Sequence, residues 1–335
     1  MSAPTRIAIV GAGAVGGLVA WHLARAGEVP TIVAREATAA LITREGLTLT
    51  EDGRARTAAV RAVADPAALG AQDIVFAGFK AQDWPACLGL VTPLLGPDTT
   101  LIPMLNGVPW WFFQGWGGAH AGRRIDAVDR EGTLAAGIAP SSILGCVLYV
   151  ASWREAPNRI AWNRRRRIVL GEPSGKPTPR LATIVAMLDH AGFETEATAD
   201  IRGAVWHKLL GNAPYNPLSV VTDATIGAMA RDPAHRRTLR AMIEELVAVG
   251  RALGACGEVD VEARLQPPRE LENFRTSTLQ DFDAGRPLEL GALVDAPVEL
   301  GRLVGVPTPT LAAVGEAAAA RWRARHGRPP QAGTG

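Results

Sequence analysis

Three polar side chains in one short run carry most of the chemistry that this sequence advertises. Lys208, Asn212 and Asn216 recur every four residues in Trp206-His207-Lys208-Leu209-Leu210-Gly211-Asn212-Ala213-Pro214-Tyr215-Asn216-Pro217-Leu218. At that spacing they share one face of a helix. A lysine flanked by two amides makes a proton donor beside neutral hydrogen-bonding groups, which suits an oxygen on which negative charge develops. A solvated polar stripe has the same spacing. Trp206, Leu209 and Leu210 argue for a mostly buried helix instead, and Pro214 and Pro217 disturb it at a cost that asks for a purpose.

The second chemical feature lies near the start. Gly11-Ala12-Gly13-Ala14-Val15-Gly16 fits G-x-G-x-x-G. Gly11 lets the chain turn out of a strand, Gly13 lets backbone approach a pyrophosphate, and Gly16 lets the following helix pack on the strand. The helix N-terminus then offers N–H groups and a positive dipole end to phosphates. The motif is weak in isolation, but here it follows a buried strand at 6–10 and opens a helical pattern at 14–26, the context that confirms it. The next strand, 31–34, runs into Arg35-Glu36. An arginine at this strand end matches a ribose 2′-phosphate, whereas an acid matches the free 2′-hydroxyl. Arg35 stands nineteen residues past Gly16 and favours NADPH; Glu36 beside it could face the ribose instead.

These residues need a scaffold, and the chain supplies the pattern for one. Strands at 73–79 and 100–104, a helix at 85–95 and a strand at 143–152 continue the alternation of β and α. Residues 47–63 alternate around Asp52-Gly53, a hairpin signature. Arg159–Trp162 and Arg166–Leu170 read as a second hairpin with the arginine run 164–167 at its solvated tip. A helix at 177–191 and a strand at 193–197 follow. Helical patterns then dominate, at 201–219, 232–254, 268–284, 294–303 and 308–325. Alternating strands and helices followed by helices alone mean an α/β Rossmann dinucleotide-binding domain and an all-helical C-terminal domain. The expected boundaries are 1–200 and 201–326, with 327–335 a tail lacking fixed structure.

Composition narrows the function class. The 335 residues are 47% apolar and 20% charged with a net charge of +2, a soluble globular profile without the basic bias of a nucleic-acid binder. Cys87, Cys146 and Cys256 are scattered, and the six histidines form no H-x-x-x-H pair, which argues against a disulfide framework and a protein-ligated metal. No leader pattern or membrane span is read, so a cytoplasmic protein is expected.

Taken together, several blocks resemble the ketopantoate reductase (2-dehydropantoate 2-reductase) family over roughly residues 5–325. They are the GAGAVG loop, Gly78-Phe79-Lys80-Ala81, Asn106-Gly107, the W-x-K-L-L-x-N-x-x-x-N-P-L block, and Ser277-Thr278-Leu279-Gln280-Asp281 followed by Glu289. The resemblance implies that Lys208 is the catalytic general acid and that Glu289 helps hold the substrate and the lysine. It implies that Ser277 binds the substrate carboxylate, that Asn212 and Asn216 bind its oxygens, and that Asn106 stands beside the nicotinamide and the reacting group. Arg35 and Lys80 match positions at the adenosine phosphate end of NADPH. It further implies a small 2-keto acid substrate, a homodimer, and an active site in the cleft between the two domains.

One stretch departs from the family pattern. Leu105 precedes Asn106-Gly107 where glutamine is common, and Val108-Pro109-Trp110-Trp111-Phe112-Phe113 follows within a long segment reaching Pro140. Residues 106–119 read as a loop with one short helix. The aromatics either pack an enlarged N-terminal domain or a dimer contact, or reshape the pocket for a bulkier acid, so a D-2-hydroxy-acid dehydrogenase on the same fold is the second reading. A nucleotide-binding regulatory protein that has lost catalysis is the third, and the presence of both Lys208 and Glu289 speaks against it.

Overall fold

The computed structural model describes residues 4–327, which divide into two compact units. One comprises residues 4–105, Trp111–Arg123 and Thr133–Ile201; the other comprises Asn106–Trp110, Arg124–Gly132 and residues 202–327. The expected tail falls outside the described residues except for Gly327.

In chain order the first unit contains β1 (Ile7–Val10), α1 (Ala14–Arg25), β2 (Pro30–Val33), α2 (Glu36–Glu45), β3 (Leu47–Glu51), β4 (Arg54–Ala58), β5 (Arg61–Val63), β6 (Ile74–Ala77), α3 (Trp84–Val91), β7 (Thr100–Pro103), α4 (Thr133–Gly137), β8 (Gly145–Ala156), β9 (Arg159–Gly171), α5 (Pro179–His190) and β10 (Glu194–Ala197). Five strands form an all-parallel sheet in the order β5-β2-β1-β6-β7. Strands buried along their whole length, such as IAIV in β1 and IVFA in β6, are what a parallel sheet covered on both faces requires. Strand order reverses between β1 and β6. Ligands of open α/β sheets bind at such a switch point, beyond the carboxyl ends of the strands.

A second sheet runs β10-β9-β3-β4, with β8 antiparallel to β9. β3 and β4 make the expected hairpin, and Asp52 and Gly53 both have positive φ, the conformation of a type I′ turn. β5 leaves this hairpin and joins the parallel sheet beside β2. The expected hairpin at the arginine run is not there. β9 is continuous from Arg159 to Gly171, and its hairpin partner is β8. A bulge opposite Ala151, with Arg164 at φ 67°, interrupts the alternation and makes one strand look like two in sequence. Carboxylates on neighbouring strands and in the β3–β4 turn pair three arginines of the run: Arg164 with Glu51 and Asp52, Arg166 with Glu194, and Arg167 with Glu196.

The second unit contains α6 (Ile201–Thr222, entered from the first unit through Ile201), α7 (Ile226–Arg231), α8 (Pro233–Leu253), α9 (Val261–Arg264), α10 (Ser277–Asp283), α11 (Ala296–Leu303) and α12 (Pro309–His326). α6 runs three residues past its expected end, through Pro214 and Pro217. The single helix expected at 268–284 is instead one 3₁₀ turn, Arg269–Leu271, and the separate α10. Both prolines, Pro267 and Pro268, precede the 3₁₀ turn, residues 272–276 are not helical, and the Thr276 hydroxyl accepts the Leu279 N–H and starts the helix afresh. A π-helical turn, Gly291–Asp295, precedes α11 where a regular helix was expected. The unit is tied by polar contacts: the Trp206 indole donates to the Leu246 carbonyl on α8 in the buried interior, and the half-buried Glu245 carboxylate accepts the Thr310 and Leu311 N–H groups that open α12. Among the described residues no helix is long and apolar enough to cross a membrane.

Candidate active site

At the carboxyl edge of the parallel sheet, three strand ends bring the nucleotide-type residues to one side of the first unit. β1 runs into Gly11, whose N–H donates to the Val33 carbonyl, and β6 runs into Gly78, whose N–H donates to the Val10 carbonyl. A Cβ at Gly16 would collide with the Gly11 carbonyl oxygen, so the loop closes this tightly only with glycine there. Beside Gly13 the situation is the reverse. Apart from chain neighbours, the nearest atom to a Cβ placed there is the Gly78 carbonyl oxygen at 3.9 Å, which leaves the backbone approachable. Gly13 opens α1, and the first turn of that helix carries no acidic side chain. The backbone of Ala12, Ala14 and Val15 completes this cradle, and its open side and unneutralised helix end suit a pyrophosphate. Arg35 lies exposed just past β2, at the residue preceding α2, and Glu36 is the first residue of that helix. Lys80, half-buried, follows β6 by three residues.

The second unit gathers the residues suited to proton transfer. The Lys208 ammonium on α6 donates to the Asn106 side-chain oxygen at 2.5 Å. Asn106 follows β7 in sequence, yet it belongs to the same compact unit as α6. Asn212 is half-buried and Asn216 buried, one and two turns further along the lysine's face. That face continues to Ser219, which the sequence reading missed. The Ser219 hydroxyl donates to the Asn216 carbonyl at 2.7 Å and lies 2.6 Å from the Thr276 hydroxyl, where Thr276 caps α10. Each hydroxyl has one proton, so Thr276 is the donor to Ser219. This short chain of hydrogen bonds fixes Ser277, the exposed first residue of α10, relative to the polar stripe of α6. Extending the stripe from Asn216 by three residues was the signal for Ser219. Glu289 is 4% exposed and sits two residues before the π-helical turn. Its carbonyl accepts the Leu293 N–H, which anchors it to that turn.

The aromatic segment is buried. Trp110 and Trp111 are 3% and 1% exposed, and Phe112 and Phe113 are fully buried. The Trp111 ring lies against Gly145 at the start of β8, and Phe113 stacks on Trp116 with ring centroids 5.8 Å apart. No regular helix forms in 106–119; the segment is a series of turns, and the first helix after it is α4.

Comparison with known proteins places this arrangement. Residues 7–175 match the family model "Ketopantoate reductase PanE/ApbA", and residues 200–321 match its C-terminal model. The chain is 42% identical over 310 residues to a 2-dehydropantoate 2-reductase of Mesorhizobium japonicum, covering 92% of this chain and 95% of that protein. A crystal structure of a Ralstonia solanacearum protein proposed to be a ketopantoate reductase is 41% identical, with a TM-score of 0.92 over 96% of this chain and 99% of that one. The 2-dehydropantoate 2-reductase of Geobacter metallireducens superposes with a TM-score of 0.82 at 26% identity, over 94% and 99% of the two chains. With both halves of the chain matched and a relative above 40% identity along nearly its whole length, the protein belongs to the ketopantoate reductase family of oxidoreductases.

Proposed function

We propose that this protein reduces the keto group of 2-dehydropantoate to the hydroxyl of pantoate with NADPH as the hydride donor, and that it works as a homodimer. The observation that carries this reading is the Lys208 ammonium held on the Asn106 amide oxygen, beside a stripe of amides, in a chain 42% identical to a 2-dehydropantoate 2-reductase. Bound NADPH supplies the hydride. The glycine loop Gly11–Gly16 and the N-terminus of α1 bind its pyrophosphate, and Arg35 with Lys80 binds the phosphate-bearing adenosine end.

Hydride addition turns a carbonyl carbon into a tetrahedral one and moves an electron pair onto the oxygen. The Lys208 ammonium stabilises that growing charge and passes a proton to the oxygen, which completes the hydroxyl. Asn106 holds the ammonium by accepting one of its N–H groups. Ser277 binds the substrate carboxylate, Asn212 and Asn216 bind its remaining oxygens, and Glu289 holds substrate and lysine in register. Ketopantoate is favoured over a bulkier acid because the 42% identical relative is a 2-dehydropantoate 2-reductase.

The test follows NADPH absorbance with purified protein and ketopantoate, 2-ketoisovalerate, benzoylformate or pyruvate. The expected result is the highest kcat/KM for ketopantoate. No oxidation with any of the four overturns the reductase reading, and a preference for benzoylformate replaces the substrate.

A further inference from the structure

The segment that carries Asn106 is held by a defect in a helix. The Val108 N–H donates to the Ala292 carbonyl at 2.9 Å. Ala292 lies in the π-helical turn Gly291–Asp295, which runs directly into α11. In a regular α-helix its carbonyl would accept the N–H of Ala296. Here that N–H goes back five residues to the Gly291 carbonyl, and the next residue, Pro297, has no N–H to give. Neither donor that helical geometry offers Ala292 is available, and its carbonyl is left to Val108. The approach is close. A Cβ at Gly107, which has φ 80°, would come within 2.5 Å of the Ala292 oxygen and 2.7 Å of the Ala292 Cβ. Val108 is itself fully buried.

We propose that Pro297 is a positioning residue for the reduction: with the π turn it leaves the Ala292 carbonyl free to dock Gly107-Val108, which sets the Asn106 oxygen on the Lys208 ammonium. π turns inside α-helices recur at functional sites because they free backbone groups in this way. The assignment rests on the reading of Lys208 as proton donor, but it concerns a different element, about ninety residues downstream of it in sequence. Pro297 touches neither substrate nor cofactor in this scheme; it acts through Ala292 and Val108.

The experiment compares Pro297→Ala, Asn106→Ala and the double variant, with Pro297→Val as a second replacement that also supplies an N–H. Restoring that N–H gives the Ala292 carbonyl an intrahelical donor and loosens the loop. The expected result is a kcat lower by about 10-fold or more, because small displacements of a catalytic group are costly, with NADPH affinity and Tm kept. In the Asn106→Ala background the further change vanishes, since both substitutions act on one arrangement. Amide exchange at Val108 accelerates in both Pro297 variants. Unchanged kcat and unchanged Val108 exchange overturn the proposal, as does an equal loss in both backgrounds. If the parent protein reduces no 2-keto acid, the functional reading fails, and Val108 exchange alone still decides whether Pro297 docks the loop: unaltered protection refutes it.

Discussion

Lys208 and Asn106 are 102 residues apart in sequence and meet in a 2.5 Å hydrogen bond from the ammonium to the amide oxygen. A charge-assisted bond of this kind orients the donor more firmly than a neutral one. If Lys208 is the proton donor, Lys208→Ala should lower kcat by about 100-fold or more, because it removes both the proton and the charge meant for the developing alkoxide. Asn106→Ala should cost less, since the ammonium remains and only its orientation is lost. The double variant should be no worse than Lys208→Ala alone, because the amide has nothing left to orient. Steady-state kinetics with ketopantoate and NADPH check this. An effect of Lys208→Ala confined to KM would make the lysine a binding residue.

The link between Thr276 and Ser219 makes a separate prediction about substrate binding. Thr276→Val removes the hydroxyl that caps α10 and donates to Ser219. Loss of the cap costs about 1 kcal/mol and lowers Tm by several degrees at most. If Ser277 binds the substrate carboxylate, the loosened start of α10 should raise KM for the keto acid several-fold while kcat changes little. A KM equal to that of the parent, at the lowered Tm, would remove Ser277 from the carboxylate site.

The parts of this protein that were legible in its sequence are those where local pattern and tertiary role agree. The apolar run of β1, the glycines after it and the helix beyond them need one another at short range, so the nucleotide-binding unit could be read almost to the residue. Lys208, Asn212 and Asn216 were legible because helical spacing alone puts them on a face. The rest depended on long-range pairing. The arginine run looked like a hairpin tip because a bulge at Arg164 breaks the strand's alternation, and only the carboxylates of β3, β10 and the Asp52 turn show why the arginines stay in one strand. The second sheet joins β3 to β9 across more than a hundred residues, a pairing no local pattern announces. Likewise, Asn106 joins a unit otherwise built mostly from residues after 201, and its neighbour Val108 docks on the Ala292 carbonyl of the π turn, a contact no local pattern announces.

On the proposed reading, cofactor choice turns on Arg35. It stands exposed at the end of β2, and its guanidinium can pair with a 2′-phosphate through two parallel hydrogen bonds. Arg35→Ala should weaken NADPH by about 10-fold or more, the usual worth of a charged hydrogen-bonded contact, and leave NADH nearly unaffected. Fluorescence titration with both nucleotides measures the difference. Equal weakening of the two would mean that the side chain does not discriminate at the 2′-position, and Glu36, the first residue of α2, would become the residue to examine.

His22 should give the first unit a pH-dependent stability. It lies on α1 with its ring edge-on to Trp21 and Trp162 and tilted against Phe193. Nδ1 is 2.9 Å from the Ala191 carbonyl, so the neutral ring carries its proton there, while Nε2 is buried with no hydrogen-bond partner. Burial holds its pKa below the ordinary histidine value, against a smaller opposing pull from the Ala191 carbonyl. Protonation would place a charged N–H at Nε2 with nothing to accept it. The unfolded chain takes up this proton near pH 6.5, before the folded one does, so the contribution is complete above about pH 6.5 and is lost as pH falls toward the lower folded value. His22→Phe keeps the ring packing and removes the titration. The parent's Tm should therefore fall more steeply than the variant's between about pH 7.5 and about pH 5.5, and parallel curves would mean that His22 is not the group responsible.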